Sequence, residues 1–315
     1  MIEFTSENEL NNSYRRNLIE FKNNCCVCQR LEIEKYSILT ISCTHHDARA
    51  RGKLFFIQGR AETIDKYLSL FQDLYNAGYD IYSYDHPGQG YSGRKKDKGL
   101  SWIGSFSVYV NVLTEVVKHF SAENASFIAV SMGGLVATMA MNRQLLSPGK
   151  IVLVTPMFRV DRKHLPSWLA HMICQAFDIA GFVTGNRRSS PPGQKRYSRP
   201  AFASNNKTHS ERRLNFYHDW YESDEIFPIG GVTWKWLMEA YLNEPRRIEA
   251  GSASVLLIEA QHDSVVDNSS NEEIIRNSEG SIQLRRIKGG FHDLLNETDS
   301  IRNLTLQQIL NFIES

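Results

Sequence analysis

This sequence has no long hydrophobic run, no excess of charge of either sign and only five cysteines in 315 residues. Its apolar stretches are short, as in "IVLVT", and fall far below the roughly 20 residues needed to span a bilayer. The amino terminus, "MIEFTSENELNNSYRRNLIE", is polar and contains acids; it lacks the apolar core of a secretory signal. The expectation is a cytoplasmic chain, free or attached to a membrane surface without crossing it. A net charge of +1 gives the whole chain no electrostatic bias, so any basic surface must be local. An odd cysteine count without an export signal predicts reduced thiols. "CCVC" and "CTHH" gather Cys25, Cys26, Cys28, Cys43, His45 and His46, but their spacing matches no standard zinc site. Both tracts read as plain early strands, and no metal is expected.

What is present is a rhythm. Hydrophobic residues make up 42% and charged residues 23%, which suits a soluble globular protein with a substantial core. Short β-branched runs alternate with amphipathic stretches. Strands are predicted at Lys53–Gly59, Tyr79–Asp85, Ser126–Val130 and Lys150–Pro156. Helices are predicted at Asp65–Gly78, Phe106–Phe120 and from Gly133 onward. The rhythm breaks after Pro156 and resumes with Ser254–Ala260, a helix near Glu272–Asn277, Ser281–Gly289 and a last helix, Ile301–Ile313. The expected fold is α/β: a mostly parallel sheet with helices on both faces. Residues 1–156 and 250–315 would form the core, and 157–249 a mainly helical insertion.

A parallel sheet carries its ligand site at the carboxyl ends of its strands. In "FIAVSMGGLVA" the strand Ser126–Val130 delivers Ser131 at a sharp turn into a helix. Ala129, Gly133 and Gly134 are the small residues such a turn needs, with alanine in the first glycine position of G-x-S-x-G. A serine needs a base, and the base needs an orienting acid. His292 follows the last strand in "IKGGFHDLLNE", and Asp263 follows Ser254–Ala260 in "QHDSVVDN". Asp267 is a rival acid four residues further on; His262, adjacent to the acid, points elsewhere. The order Ser131, Asp263, His292 is that of α/β-hydrolases. Ordinary readings exist for each residue alone: a tight turn, a turn cap, a surface histidine. Their joint occurrence at three strand ends favours catalysis.

Acyl transfer also needs two N–H donors for the oxyanion. Met132, after the nucleophile, supplies one, and the loop "QGRAE" supplies the other at Arg60. Arg60 and Glu62 could equally form a surface ion pair of little energetic weight. "DHPGQGYSGR" invites comparison with a phosphate-binding loop. It lacks both the Lys-Ser/Thr ending and the G-x-G-x-x-G spacing.

Together "QGRAETIDKY", "DHPGQGYSGR", "VSMGG", "HDSVVDN" and "IKGGFHDLLNE" resemble the α/β-hydrolases related to monoglyceride lipases. Within them the resemblance is to bacterial inner-membrane lysophospholipases of the L-two type, whose cap "THSERRLNFYHDW" and "IGGVTWKWLMEA" also resemble. It extends from about Arg51 to the carboxyl terminus. It implies Ser131 as nucleophile, His292 as base, Asp263 as acid, and N–H donors at Arg60 and Met132. It further implies lysophospholipid deacylation and peripheral attachment to the inner face of the cytoplasmic membrane. Val130 stands where that family usually has histidine, and Pro87 where it usually has arginine.

The insertion suits a lipid. From Arg187 to Arg213 there are eight Lys/Arg and one acid, Glu211. This local basic tract, with Arg187, Arg188, Arg212 and Arg213 as candidate head-group residues, could hold a phosphate or touch an anionic lipid surface; a solvated loop is the plainer reading. "LPSWLAHMICQAFDIAGF" could cover an acyl pocket, dip into an interface or simply form the cap's own core. No nucleic-acid motif accompanies the basic run. The resulting expectation is a cofactor-free serine hydrolase acting on lysophospholipids. A monoacylglycerol lipase or general carboxylesterase, and a catalytically inactive lipid-binding module, are the alternatives.

Overall fold

The apolar runs of the sequence become the strands of one mixed sheet. The computed structural model describes residues 2–45, 50–92, 99–160, 166–186, 189–224 and 228–315. Its strands are β1 (Cys26–Ile33), β2 (Tyr36–Cys43), β3 (Gly52–Ile57), β4 (Tyr79–Tyr84), β5 (Ser126–Val130), β6 (Lys150–Val154), β7 (Glu249–Ala260) and β8 (Glu279–Ile287). They lie in the order β1-β2-β4-β3-β5-β6-β7-β8. β1–β2 and β2–β4 pair antiparallel, and the remaining neighbours pair parallel. This is the expected α/β-hydrolase sheet.

Alternate residues of the central strands enter different core layers. Phe55, Ile57, Phe127, Ala129, Ile151, Leu153, Val255 and Leu257 face one layer. That layer is completed by α3 (Ser107–His119), α4 (Met132–Asn142) and part of the insertion. Leu54, Phe56, Ile128, Val130, Val152, Val154, Leu256 and Ile258 face the other. There they meet α1 (Asn12–Cys25), α2 (Leu68–Asn76) and the last helix, Asp299–Glu314. Both faces are covered, which is why these strands read as continuous apolar runs rather than as alternating ones.

Between β6 and β7 the chain forms α5 (Ser167–Val183), α6 (Glu211–Tyr221) and α7 (Trp234–Leu242). No helix of the described residues is long and apolar enough to cross a membrane.

Two features differ from expectation. The polar amino terminus holds α1, capped by Asn11 Oδ1, which accepts from the N–H groups of Ser13 and Tyr14. Only Leu18 and Phe21 of that helix are buried, so its apolar signal is too sparse to stand out. The thiols are not all reduced: Cys26 and Cys43 form a disulfide. They stand directly opposite in the β1–β2 register, and strand pairing brings their Cα atoms to 4.1 Å. Cys25, Cys28 and Cys174 remain free.

The ends of β3 and β4 are tied by a buried histidine. His86 Nε2 donates to the Gln58 carbonyl at 2.9 Å, and its ring meets Tyr84 and Tyr109 edge-on. Burial pushes His86 down from 6.5 to about 4. A depressed folded-state pKa stabilises fully above 6.5, and that contribution is lost as pH falls toward 4. The stability advantage of the native chain over His86→Gln should therefore shrink, by on the order of 3 kcal/mol, between those limits. Urea unfolding at pH 7 and pH 4.5 measures it; a constant gap would contradict the buried neutral ring.

Candidate active site

The site begins with backbone geometry. Ser131, between β5 and α4, has φ 50° and ψ −117°, a region that L residues rarely occupy. The turn is held in place by close packing. A Cβ on Gly133 would lie 2.5 Å from the Ile57 carbonyl oxygen and 2.6 Å from that of Gln58. One on Gly134 would lie 2.8 Å from Pro156 Cβ. Glycine is therefore required at both positions for α4 to start against the ends of β3 and β6. Ala129 lies within the first core layer, where a methyl is accommodated.

Ser131 Oγ lies 3.0 Å from His292 Nε2. His292 Nδ1 lies 2.7 Å from Asp263 Oδ2. The other Asp263 oxygen accepts from the N–H groups of Val265 and Val266 at 2.9 and 3.0 Å. The Asp263 side chain is fully buried. These contacts hold it as an acceptor, so Nδ1 of His292 carries the proton and Nε2 is free to accept one. Thr155 Oγ1 donates to the His292 carbonyl at 3.0 Å, anchoring the histidine loop to the end of β6. Asp267, the rival acid, instead caps a short helical turn by accepting from Ser269 N–H. His262 is exposed. The three loops thus bring Ser131, Asp263 and His292 into one hydrogen-bonded line.

The loop after β3 lies against the serine. A Cβ on Gly59 would come within 3.2 Å of Ser131 Cβ. Gln89 brackets the next residue: its Nε2 donates to the Gly59 carbonyl at 3.2 Å, and its Oε1 accepts from Ala61 N–H. Arg60 N–H lies between these two fastened peptides and finds no acceptor among the described residues. The same is true of Met132 N–H, which belongs to the unpaired first turn of α4.

Asp85 supports this loop from beneath. It accepts from Gln58 Nε2, Ile64 N–H and Tyr91 N–H at 2.8 to 3.0 Å. Burial raises it to about 6 against the effect of those donors. A Cβ on Gly90 would collide with this carboxylate, 2.1 Å from Oδ2. The glycine-rich "DHPGQG" tract is therefore a brace folded around Asp85, and Gly90 serves that packing.

Glu62 and Arg60 do not pair. Glu62 accepts from Gly59 N–H at 2.6 Å, Tyr67 OH at 2.8 Å and Lys66 Nζ. Lys66 also reaches Asp293 Oδ2 at 2.7 Å, directly after His292 in sequence. Burial would lower Lys66, but Asp293 and Glu62 outweigh it and hold the ammonium charged. Arg60 donates to Ser101 Oγ at 2.9 Å and the Gly230 carbonyl at 2.8 Å, fastening the insertion to this loop.

Of the candidate head-group residues, Arg187 and Arg188 lie outside the described residues. Arg212 is exposed on α6. Arg213 is a correction: it is only 4% exposed and binds Asp299 Oδ1 at 2.6 Å and the Thr5 carbonyl at 2.9 Å. A buried guanidinium must find such acceptors, and here they belong to the amino-terminal segment and the last helix. Gln89, Asp85, Glu62 and Lys66 were not singled out from sequence for support of the site. Their role depends on contacts between loops that no local pattern encodes.

Comparison with known proteins agrees with this architecture. The family model described as serine aminopeptidase, S33, matches residues 48–299. Lysophospholipase L2 of Escherichia coli K12 is 30% identical over 283 residues, covering 85% of this chain and 81% of that protein. A probable lysophospholipase L2 of Haemophilus influenzae is 26% identical over 275 residues, with 85% of each chain covered. Among solved structures, a soluble variant of the Saccharomyces cerevisiae monoglyceride lipase superposes with a TM-score of 0.68 at 16% identity, covering 92% of this chain and 96% of that one. The Paleococcus ferrophilus monoacylglycerol lipase gives 0.64 at 16% identity, covering 91% and 99%. The fold, the match over most of the chain and these relatives agree: the chain belongs to the serine aminopeptidase S33 family of α/β-hydrolases.

Proposed function

We propose that this chain, a carboxylic ester hydrolase, removes the fatty acyl group of lysophospholipids through Ser131, His292 and Asp263. The observation that carries this reading is the line Asp263–His292–Ser131, with separations of 2.7 and 3.0 Å. The lysophospholipid substrate draws support from the relatives named lysophospholipase L2.

Ser131 Oγ attacks the ester carbonyl carbon while His292 Nε2 takes its proton. Asp263 keeps the ring oriented and stabilises its cationic form. The negative charge on the former carbonyl oxygen meets the N–H groups of Arg60 and Met132. His292 returns the proton to the departing glycerol oxygen, leaving an acyl-serine. Water, deprotonated by His292, then attacks that ester and releases the fatty acid. No metal or organic cofactor enters the scheme.

The insertion suits an amphiphilic substrate. Trp168, Met172, Ile179, Phe182 and Val183 share one side of α5 and are each more than half exposed, whereas Phe177 stacks on Trp234. An apolar face of this kind fits peripheral contact with a lipid surface, the reading we carry for membrane attachment.

Mass-spectrometric product analysis tests the assignment, using a lysophospholipid, a monoacylglycerol, a short ester and an aminoacyl arylamide. The expected result is fatty acid released from the lysophospholipid, with kcat reduced by about a thousandfold or more in Ser131→Ala and His292→Ala. Turnover confined to the other three substrates would reject lysophospholipid deacylation.

The bracket around Arg60 gives a second prediction. Gln89→Ala frees the Gly59 and Ala61 peptides, so kcat should fall roughly tenfold to a hundredfold with KM little changed. Steady-state kinetics on a short ester measures the split. A rise in KM at constant kcat would show that Gln89 acts on substrate binding instead.

A further inference from the structure

Segment 205–209 of the insertion is laced across both loops that carry the histidine and the acid. Asn206 Nδ2 donates to Ser264 Oγ at 2.8 Å, beside Asp263. The Lys207 carbonyl accepts from Asp293 N–H at 2.8 Å, beside His292. Thr208 Oγ1 donates to the Asn296 carbonyl at 2.7 Å. His209 Nδ1 lies 2.9 Å from Glu297 Oε1. This lacing fixes the backbone of Lys207 at the rim of the site while its side chain stays open to solvent.

The charges around it do not balance. Lys66 is matched twice, by Glu62 and Asp293. Among the described residues Arg60 binds only neutral oxygens, and it lies 5.7 Å from the Trp236 ring centroid. Among the described residues Lys207 has no ion-pair partner. Direct contacts join these groups: Lys66 pairs with Glu62 on the Arg60 loop and with Asp293, whose N–H binds the Lys207 carbonyl. Three cations and two carboxylates meet there, so a single bound negative charge would complete the cluster.

We propose that Lys207, with Arg60 beside it, forms a subsite for the phosphate group of the substrate at the mouth of the acyl-ester site. This proposal rests on the lysophospholipid reading above and names residues for its head group. Lys207 belongs to the basic tract of the insertion, and only its backbone contact with Asp293 sets it apart from the other cations there. The phosphate oxygens take charge-assisted hydrogen bonds from the ammonium and the free guanidinium N–H groups. The glycerol ester is thereby set against Ser131 with its acyl chain directed away from the cations. An α-ammonium group would be repelled at the same place.

Two arms test the subsite. In the first, sn-glycerol 3-phosphate, inorganic phosphate and glycerol are titrated calorimetrically into the native chain, Lys207→Gln and Lys207→Arg. Glycerol 3-phosphate should bind the native chain and Lys207→Arg, and at least tenfold more weakly to Lys207→Gln; glycerol should bind none of them. Inorganic phosphate binding as tightly as the glycerol ester would favour a free-phosphate site and overturn the head-group assignment. In the second arm, Lys207→Gln should raise KM about tenfold for lysophosphatidylglycerol and leave the monoacylglycerol of the same chain length within twofold. Equal loss on both lipids, or no loss on either together with unchanged glycerol 3-phosphate affinity, would overturn the proposal. If the native chain binds glycerol 3-phosphate through Lys207 but does not cleave the lysophospholipid, the subsite stands and the substrate reading fails.

Discussion

The site depends on one backbone contact: the start of α4 pressed against the carbonyls that end β3. That approach is possible only with glycine at 133, whose absent Cβ would otherwise meet two peptide oxygens within 2.6 Å. It holds Ser131 at positive φ and raises the hydroxyl above the sheet. Backbone strain of this kind costs on the order of 1–3 kcal/mol and persists only where the surroundings enforce it. The enforcing elements here are the buried ends of β3, β5 and β6. Because the same contact brings Gly59 against Ser131, the candidate nucleophile and the candidate oxyanion loop are set by a single packing event.

Around that event the loops are fastened from below and from the side. Asp85 and Gln89 carry the brace beneath the Arg60 loop. Lys66 ties Glu62 in that loop to Asp293 in the histidine loop. Buried ion pairs are costly to form, and this one joins the two loops whose relative position decides the reaction geometry. The insertion is fastened to the same elements: Arg60 holds Gly230, Tyr217 OH donates to the Ala61 carbonyl at 3.1 Å, and segment 205–209 lies on the loops that carry Asp263 and His292. Cap and core therefore meet at the candidate site itself.

The sheet was legible because parallel strands covered on both faces must be apolar along their whole length. The strand ends then pointed to Ser131, Asp263 and His292, residues that a local motif or a chain order can reveal. The helix Asn12–Cys25 was missed because only two of its side chains are buried. The Cys26–Cys43 bond was missed because it follows from hairpin register rather than from cysteine spacing. Arg213 resembled its neighbours in a basic tract, yet its surroundings make it a buried structural ion. Lys207, in the same tract, is distinguished only by the long-range lacing of its backbone. Val130 lies in the second core layer, so the position supplies packing and no polar atom.

The central claim is that Ser131 is the nucleophile and His292 activates it. A fluorophosphonate reacts with an activated serine in the same way as an ester, and its adduct can be located by peptide mass spectrometry. The account predicts one adduct per chain, on the peptide containing Ser131, absent in Ser131→Ala and slowed by orders of magnitude in His292→Ala. A folded native chain that resists the probe, or one labelled at another serine, would contradict it.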